Sequence, residues 1–201
     1  MTGRRLLFLP GGAGNGAFWD PIRSRLTDHE TEAFDWPGLG ETPADPAVTS
    51  YADLVTMVTR RLETVGPSVL VGQSMGGWVA TSVAATRPEL VTHLVLCVTS
   101  AGVDMQALGA VDWRVGARRA RPDAPEWSFE YHPPMEDRLA ELPHPTLLLW
   151  ATADAISPLA VGERVHDLIP DSTLVVYESS DHWVVLEQPD DVAARIRAHV
   201  A

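Results

Sequence analysis

The segment around Ser74 constrains the fold of this chain more than any other feature. An apolar run, residues 68–71, leads into Gly72-Gln73-Ser74-Met75-Gly76, and an Ala-rich amphipathic stretch follows over residues 77–85. In that context Gly-x-Ser-x-Gly predicts a serine on a sharp strand-to-helix turn, with its hydroxyl above the sheet edge. The flanking glycines are expected because side chains there would collide with the neighbouring strand and helix. The segment therefore predicts a nucleophilic Ser74.

Composition limits the class of protein. A chain of 201 residues with 45% hydrophobic residues fits one soluble globular domain, residues 1–201. A net charge of -12 argues against nucleic acid and anionic membranes as partners. All 15 basic residues are arginines, which excludes a Ser-Lys dyad, Schiff-base chemistry and a Gly-Lys-Ser/Thr phosphate loop. The single cysteine, Cys97, lies in an apolar run and is predicted to be a buried thiol. No targeting segment is recognised, so the expected location is cytoplasmic.

Short apolar runs alternate with helical patterns along the chain. Strands are predicted at residues 6–9, 32–34, 69–71, 94–98, 146–150 and 173–177, and helices near residues 18–26, 51–65, 77–86, 158–168 and 190–200. This alternation predicts an α/β fold with a doubly wound, mostly parallel sheet of about six strands. Residues 101–142, rich in proline, have no clear strand and interrupt the pattern.

A nucleophilic serine requires a base and a carboxylate that orients it. Of the seven histidines, His182 follows the last predicted strand, at the carboxyl edge of the sheet, and is the predicted base. The other six are interpreted as surface or packing histidines. Asp154, after the fifth strand, is the preferred carboxylate because the chain order Ser, Asp, His is one of the known orders for a nucleophilic serine on a strand-to-helix turn. Asp104 is the competitor, while Asp181 is assigned to turn chemistry.

The oxyanion of an acyl-transfer reaction requires two converging backbone N–H groups. We predict that Met75, directly after the nucleophile, supplies one of them. Gly12, in the glycine-rich loop after the first strand, is predicted to supply the other. A nucleotide-binding loop is the alternative interpretation, but the glycine spacing in residues 11–16 does not match Gly-x-Gly-x-x-Gly.

Taken together, these motifs resemble a small bacterial serine hydrolase of the α/β-hydrolase superfamily with a reduced cap. The resemblance covers nearly the whole chain except residues 101–142. It includes the turn Asp35-Trp36-Pro37-Gly38-Leu39-Gly40-Glu41-Thr42 and the closing pattern formed by His182, Glu187 and Pro189. The family's strand-end loop reads Pro10-Gly11 here, with proline in place of the usual histidine. The resemblance implies that the family's first two strands are missing and that residues 101–142 form a short cap or lid insertion.

The cap segment, residues 101–142, contains several aromatic residues and four clustered arginines. Its aromatic side chains either cover the core or line a substrate site. Substrate contact is predicted for four tryptophans: Trp78, Trp113, Trp127 and Trp183. For Arg114, Arg118, Arg119 and Arg121 we favour a solvated helix face paired with carboxylates over an anion-binding role.

The residues predict a hydrolase that cleaves a small carboxylic ester, lactone or thioester through an acyl-enzyme, carried by Ser74, His182 and Asp154. No metal or organic cofactor is implied. The expected partner is a small-molecule substrate, and the chain is expected to be a monomer or homodimer. Two alternatives are carbon–carbon bond hydrolysis with the same triad, as the resemblance allows, and a non-catalytic ligand-binding protein of the same fold.

Overall fold

The sheet is the framework of the molecule. The computed structural model describes residues 3–178 and 180–201, and these hold six parallel strands in one sheet. The strands are β1 (Arg5–Leu9), β2 (Glu30–Ala33), β3 (Ser68–Gln73), β4 (Val91–Cys97), β5 (Thr146–Ala151) and β6 (Ser172–Tyr177). Every residue of β3 and β5 is buried, as expected for strands covered on both faces. The predicted doubly wound sheet of six strands is confirmed.

Eight α-helices connect or flank the strands within the described residues. They are α1 (Asp20–Arg23), α2 (Tyr51–Val65), α3 (Met75–Thr86), α4 (Arg114–Ala120), α5 (Glu136–Leu139), α6 (Leu159–Leu168), α7 (Val184–Glu187) and α8 (Pro189–His199) in the described part of the chain. Three 3₁₀ helices lie at Gly16–Trp19, Pro88–Leu90 and Glu126–Phe129. The helix predicted over residues 51–65 is α2 itself. The one predicted near residues 18–26 is split into a 3₁₀ turn and the single turn α1.

The strand order places a reversal of direction beside Ser74. The order is β2-β1-β3-β4-β5-β6, so the chain moves from β1 to one side and then returns past it to β3. Because such crossovers are right-handed, this reversal sends α1 to one face and α2, α3 and α6 to the other. Helix α8 packs against α1, and α2 packs against α3, so both faces are covered. Ligands of open parallel sheets bind beyond the carboxyl ends of the strands at such a reversal.

The core runs through the middle of the sheet and includes Cys97. The first strand is fully buried from Leu6 to Leu9, and Trp19, Trp36 and Trp150 are the largest fully buried side chains. Cys97 is fully buried at the end of β4, as predicted, and burial raises the pKa of its thiol. The rigid core therefore ends directly below the loops that follow β1, β3, β4 and β5.

The cap segment lies between β4 and β5 and contains α4 and α5 but no strand among its residues. Part of it is integrated into the core, because Trp127, Phe129 and Leu139 are buried. Tyr51 of α2 is tied to it by a hydroxyl that donates to the carbonyl of Ser128 at 3.0 Å. The cap segment is thus packed, in part, onto the rest of the domain.

Candidate active site

Ser74 occupies the predicted strand-to-helix turn. Strand β3 ends at Gln73 and α3 begins at Met75, so Ser74 alone makes the turn, with φ 53° and ψ -119°. A non-glycine residue with positive φ is uncommon and costs conformational energy. The Ser74 N–H donates to the Cys97 carbonyl at 2.9 Å, and its carbonyl accepts from the Thr99 hydroxyl at 2.6 Å. These two bonds to the end of β4 hold the strained conformation.

The glycines around Ser74 have the predicted steric role. A Cβ on Gly76 would lie 2.2 Å from the carbonyl oxygen of Leu9, and one on Gly72 would lie 2.5 Å from the Gly76 oxygen. Both contacts are with backbone atoms, which cannot move aside without shifting a strand or helix. Close approach of β1, β3 and α3 therefore requires glycine at both positions.

Asp154 and His182 meet at the carboxyl edge of the sheet. The Nδ1 of His182 lies 2.7 Å from Oδ2 of Asp154, whose side chain is fully buried. The other oxygen, Oδ1, accepts the N–H groups of Ile156 at 2.7 Å and Ser157 at 3.0 Å. A carboxylate held by three donors is fixed in position, and it directs the Nδ1–H tautomer of His182, which leaves Nε2 free to accept a proton.

The other two aspartates weighed as partners of His182 have local roles. Asp104 is exposed, and its Oδ1 accepts the N–H groups of Gln106 and Ala107 at 3.1 and 3.2 Å. Asp181 caps the N–H of Trp183 at 2.8 Å, which is turn chemistry as predicted. The structure therefore places Asp154, and neither Asp104 nor Asp181, in hydrogen-bond contact with the ring of His182.

The glycine-rich loop after β1 passes against Ser74. A Cβ on Gly11 would lie 3.1 Å from the Cβ of Ser74. The indole N–H of Trp36 donates to the carbonyl of Pro10 at 2.7 Å. Gly12 and Met75 line the same cavity as Ser74. In the described residues neither of their N–H groups has a protein acceptor, and the first N–H groups of a helix such as α3 have none within the helix. Both are thus available to a ligand.

Ser74 and His182 face a cavity of about 450 Å³ between the sheet edge and the cap segment. Two of the four tryptophans predicted to contact substrate, Trp113 and Trp183, line it. The other two lie behind its wall: Trp78 donates to the carbonyl of Pro133 at 3.1 Å, and Trp127 packs edge-on against Tyr51 at 5.4 Å between ring centroids. Direct substrate contact stays a prediction for Trp113 and Trp183 only.

His132 lines this cavity, although its sequence context suggested only a surface or packing role. Its ring stacks on Trp78 at 5.2 Å, and its Nδ1 lies 3.1 Å from the hydroxyl of Ser100. That hydroxyl also accepts the N–H of Gly102 at 3.3 Å. Burial, with a smaller effect of the nearby Arg114 charge, lowers the pKa of His132 to about 3. His132 is thus a neutral wall residue rather than a second base.

The depressed pKa of His132 predicts a pH dependence of stability. Between pH 6.5 and 3 the unfolded chain binds a proton here that the folded chain does not, so stability from this residue is present above pH 6.5 and lost on acidification. We expect His132→Gln to reduce the loss of unfolding free energy between pH 7 and pH 5 by about 2 kcal/mol. Urea unfolding of both proteins at each pH measures this. The same loss in both would contradict it.

The four arginines of the cap segment have different environments. Arg114 and Arg118 pair with Asp112 at 3.1 Å and Glu126 at 2.6 Å, as the interpretation of a carboxylate-paired face predicts. Arg119 is exposed without a carboxylate partner among the described residues. Arg121 differs, because it is half-buried and lines the cavity. The interpretation of a solvated, paired face is wrong for Arg121, since the end of α4 turns its side chain inward.

The fold and this site together define the class of protein. A serine on a strand-to-helix turn, at the carboxyl edge of a parallel sheet, is the arrangement that α/β proteins of the hydrolase class use. Residues 6–195 match the model of the alpha/beta hydrolase family, and the chain belongs to that family. It is an enzyme of the hydrolase class whose relatives include esterases.

Similar proteins cover nearly the whole chain. A pimeloyl-[acyl-carrier protein] methyl ester esterase from Klebsiella pneumoniae is 26% identical, over 92% of this chain and 88% of its own. A thermophilic esterase from Thermogutta terrifontis, solved with malate bound, is 27% identical with a TM-score of 0.77, over 98% of this chain and 89% of its own. A hydrolase from Pseudomonas aeruginosa has the same fold with a TM-score of 0.83 at 21% identity, over 99% and 90%.

Across residues 3–178 and 180–201, no helix combines the length and apolar character that a membrane span requires. Within the same residues, no three His, Cys, Asp or Glu side chains cluster closely enough to bind a metal ion.

Proposed function

We propose that this protein hydrolyses a small carboxylic ester, lactone or thioester through an acyl-enzyme, with Ser74 as nucleophile, His182 as base and Asp154 as the orienting acid. The observation that carries the proposal is the buried 2.7 Å bond between Asp154 and His182 in the wall of the cavity that Ser74 also lines. A histidine so oriented, beside a serine held on a strained turn, has few roles other than proton transfer to and from that serine.

In the proposed reaction the Ser74 oxygen attacks the carbonyl carbon while its proton passes to Nε2 of His182. The carbonyl oxygen becomes an anion, which the N–H groups of Gly12 and Met75 stabilise. His182 then protonates the leaving alcohol or thiol as its bond to the acyl carbon breaks. Water, deprotonated by His182, attacks the acyl-enzyme and releases the acid, and the proton returns to Ser74.

The cavity indicates the substrate class. Its lining is largely apolar, with Met105, Val98 and Ile156 among its side chains, and its volume of about 450 Å³ suits a small molecule. We propose that this reaction takes place in the cytoplasm.

The proposal is tested with the intact protein, a fluorophosphonate probe and a panel of p-nitrophenyl esters of increasing acyl length. We expect covalent labelling and turnover that is highest for short acyl chains, because the cavity is small. Labelling without turnover of any of these esters would favour carbon–carbon bond hydrolysis over ester hydrolysis. Neither labelling nor turnover would contradict the proposal and favour a ligand-binding protein.

A further inference from the structure

The arginines of this acidic chain are mostly neutralised by carboxylates. Ten of the fifteen lie within 4.0 Å of a carboxylate oxygen, namely Arg5, Arg23, Arg25, Arg61, Arg87, Arg114, Arg118, Arg164, Arg195 and Arg197. Over the described residues, five have no such partner: Arg4, Arg60, Arg119, Arg121 and Arg138. Four of these five are exposed to water, which solvates their charge, and Arg121 is the one that is half-buried.

The half-buried Arg121 lies in the wall of the cavity that contains Ser74 and His182. One terminal N–H donates to the carbonyl of Gly12, and the guanidinium carbon lies 5.6 Å from the ring centre of Phe129. In the described structure its remaining N–H groups donate to no protein acceptor. A guanidinium has five donors in a planar fork that matches a carboxylate, so most of this fork is left for a ligand.

In the part of the chain that the structure describes, no carboxylate faces Arg121 across the cavity. Among the described residues that line the cavity, none is Asp or Glu, and Arg121 is the one permanently charged side chain. The Asp154 carboxylate is fully buried and bonded to His182 and to two backbone N–H groups, so it is not available. Burial lowers the pKa of the Arg121 guanidinium, as expected for a cation without a counter-charge. An anion bound in the cavity would relieve that cost.

The position of Arg121 also limits where an anion would bind. A Cβ on Gly12 would lie 3.7 Å from both terminal nitrogens of Arg121. Because a Cβ lies about 2.5 Å from the nitrogen of its own residue, the guanidinium is within about 6 Å of the Gly12 N–H. A substrate whose carbonyl oxygen points at the Gly12 N–H can therefore place an anionic group at Arg121 when only a few bonds separate that group from the carbonyl.

We propose that Arg121 binds a carboxylate of the substrate, so that the preferred substrate is an ester or thioester carrying a carboxylate a few bonds from the scissile carbonyl. This inference rests on the proposed hydrolase function and narrows its substrate class. Monoesters of short dicarboxylic acids have this chemistry. Arg121 acts here as a specificity residue, and its bond to Gly12 keeps the fork in place before substrate arrives.

The test compares monomethyl glutarate with dimethyl glutarate, which has the same carbon chain but no charge. We expect the ratio of kcat/KM for the monoester to that for the diester to fall by about 10- to 100-fold in Arg121→Gln, because a charged hydrogen bond is lost. Arg121→Lys keeps the charge without the planar fork, and its ratio is expected to lie between those of the wild-type protein and Arg121→Gln. Arg119→Gln, on the same helix end but exposed and unpaired, is the matched control and should keep the wild-type ratio.

A binding measurement separates this inference from the proposed hydrolysis. Glutarate is titrated calorimetrically into Ser74→Ala and into Ser74→Ala/Arg121→Gln, both checked for fold by circular dichroism. Binding to the first that is lost in the second supports the anion site, even if wild-type protein hydrolyses neither ester and the proposed function fails. If wild-type protein hydrolyses both esters and Arg121→Gln leaves the ratio unchanged, including by an equal loss on both, the anion site would be overturned. Arg121 would then only support the Gly12 loop.

Discussion

Replacing Ser74 with Ala is expected to lower kcat by about 10⁴- to 10⁶-fold on whichever ester the panel identifies, and to abolish labelling by the fluorophosphonate. The reason is that the hydroxyl is the proposed bond-forming atom, so its loss removes the covalent pathway and leaves only binding and oxyanion stabilisation. Alanine accepts the same backbone geometry about as well as serine, since both carry a single Cβ. The fold should therefore be retained.

Ser100 provides the matched control for Ser74. It lines the same cavity and is paired with a histidine, His132, at 3.1 Å, so it looks superficially like a second nucleophile and base. It does not precede a helix, and its histidine has a pKa of about 3, which makes that ring a poor proton acceptor near neutral pH. Ser100→Ala should still be labelled at Ser74. Label found on Ser100 in the Ser74→Ala protein would refute the assignment.

Replacing Asp154 with Asn is expected to lower kcat by about 10⁴-fold, the second-largest effect we predict. Asparagine can still accept the N–H groups of Ile156 and Ser157 through its oxygen, so the loop should keep its shape. Its amide nitrogen then faces Nδ1 of His182 and donates to it. The imidazole is driven into the other tautomer, with the proton on Nε2, and cannot accept the serine proton.

Asp104→Asn is the comparison for this result. Asp104 is exposed and bonded to two backbone N–H groups of its own turn, so the change should alter kcat by less than about threefold. Steady-state kinetics of both variants, with near-ultraviolet circular dichroism as a check of folding, decides between them. If Asp104→Asn proves severe and Asp154→Asn mild, the orienting acid follows the fourth strand and the proposed triad is wrong.

Much of the fold follows from local patterns in the chain. The helix over residues 51–65 has an amphipathic repeat, and residues 69–71 of β3 form an apolar run, which is typical of a strand buried on both faces. Boundaries were less predictable: β2 begins at Glu30, two residues before the predicted strand, because its pairing with β1 extends to Arg5. Pairing with a neighbouring strand, rather than composition, sets such ends.

Part of the site was also predictable. The spacing of Gly72, Ser74 and Gly76 predicts the strand-to-helix turn, and the position of His182 after the last predicted strand indicates the base. What the chain alone left open was the partner of His182. Asp154 and Asp104 both follow a strand at the same sheet edge, and the choice depends on how two loops from different strands are oriented.

The residues around the cavity show which features follow from the sequence and which depend on the tertiary structure. The sequence by itself determined the order of elements, the turn that strains Ser74 and the edge of the sheet where the site forms, because these depend on contacts close along the chain. Only the tertiary structure decided that Trp78 lies behind the wall while Trp113 lines it, and that Arg121 turns inward while Arg119 stays in water. The physical reason is that Trp78 of α3 is covered by residues of the cap segment such as His132, and that Trp113, Arg119 and Arg121 lie on or beside the short helix α4 of that segment. There, orientation is set by packing against distant residues such as Tyr51 and Gly12, and no local periodicity records it.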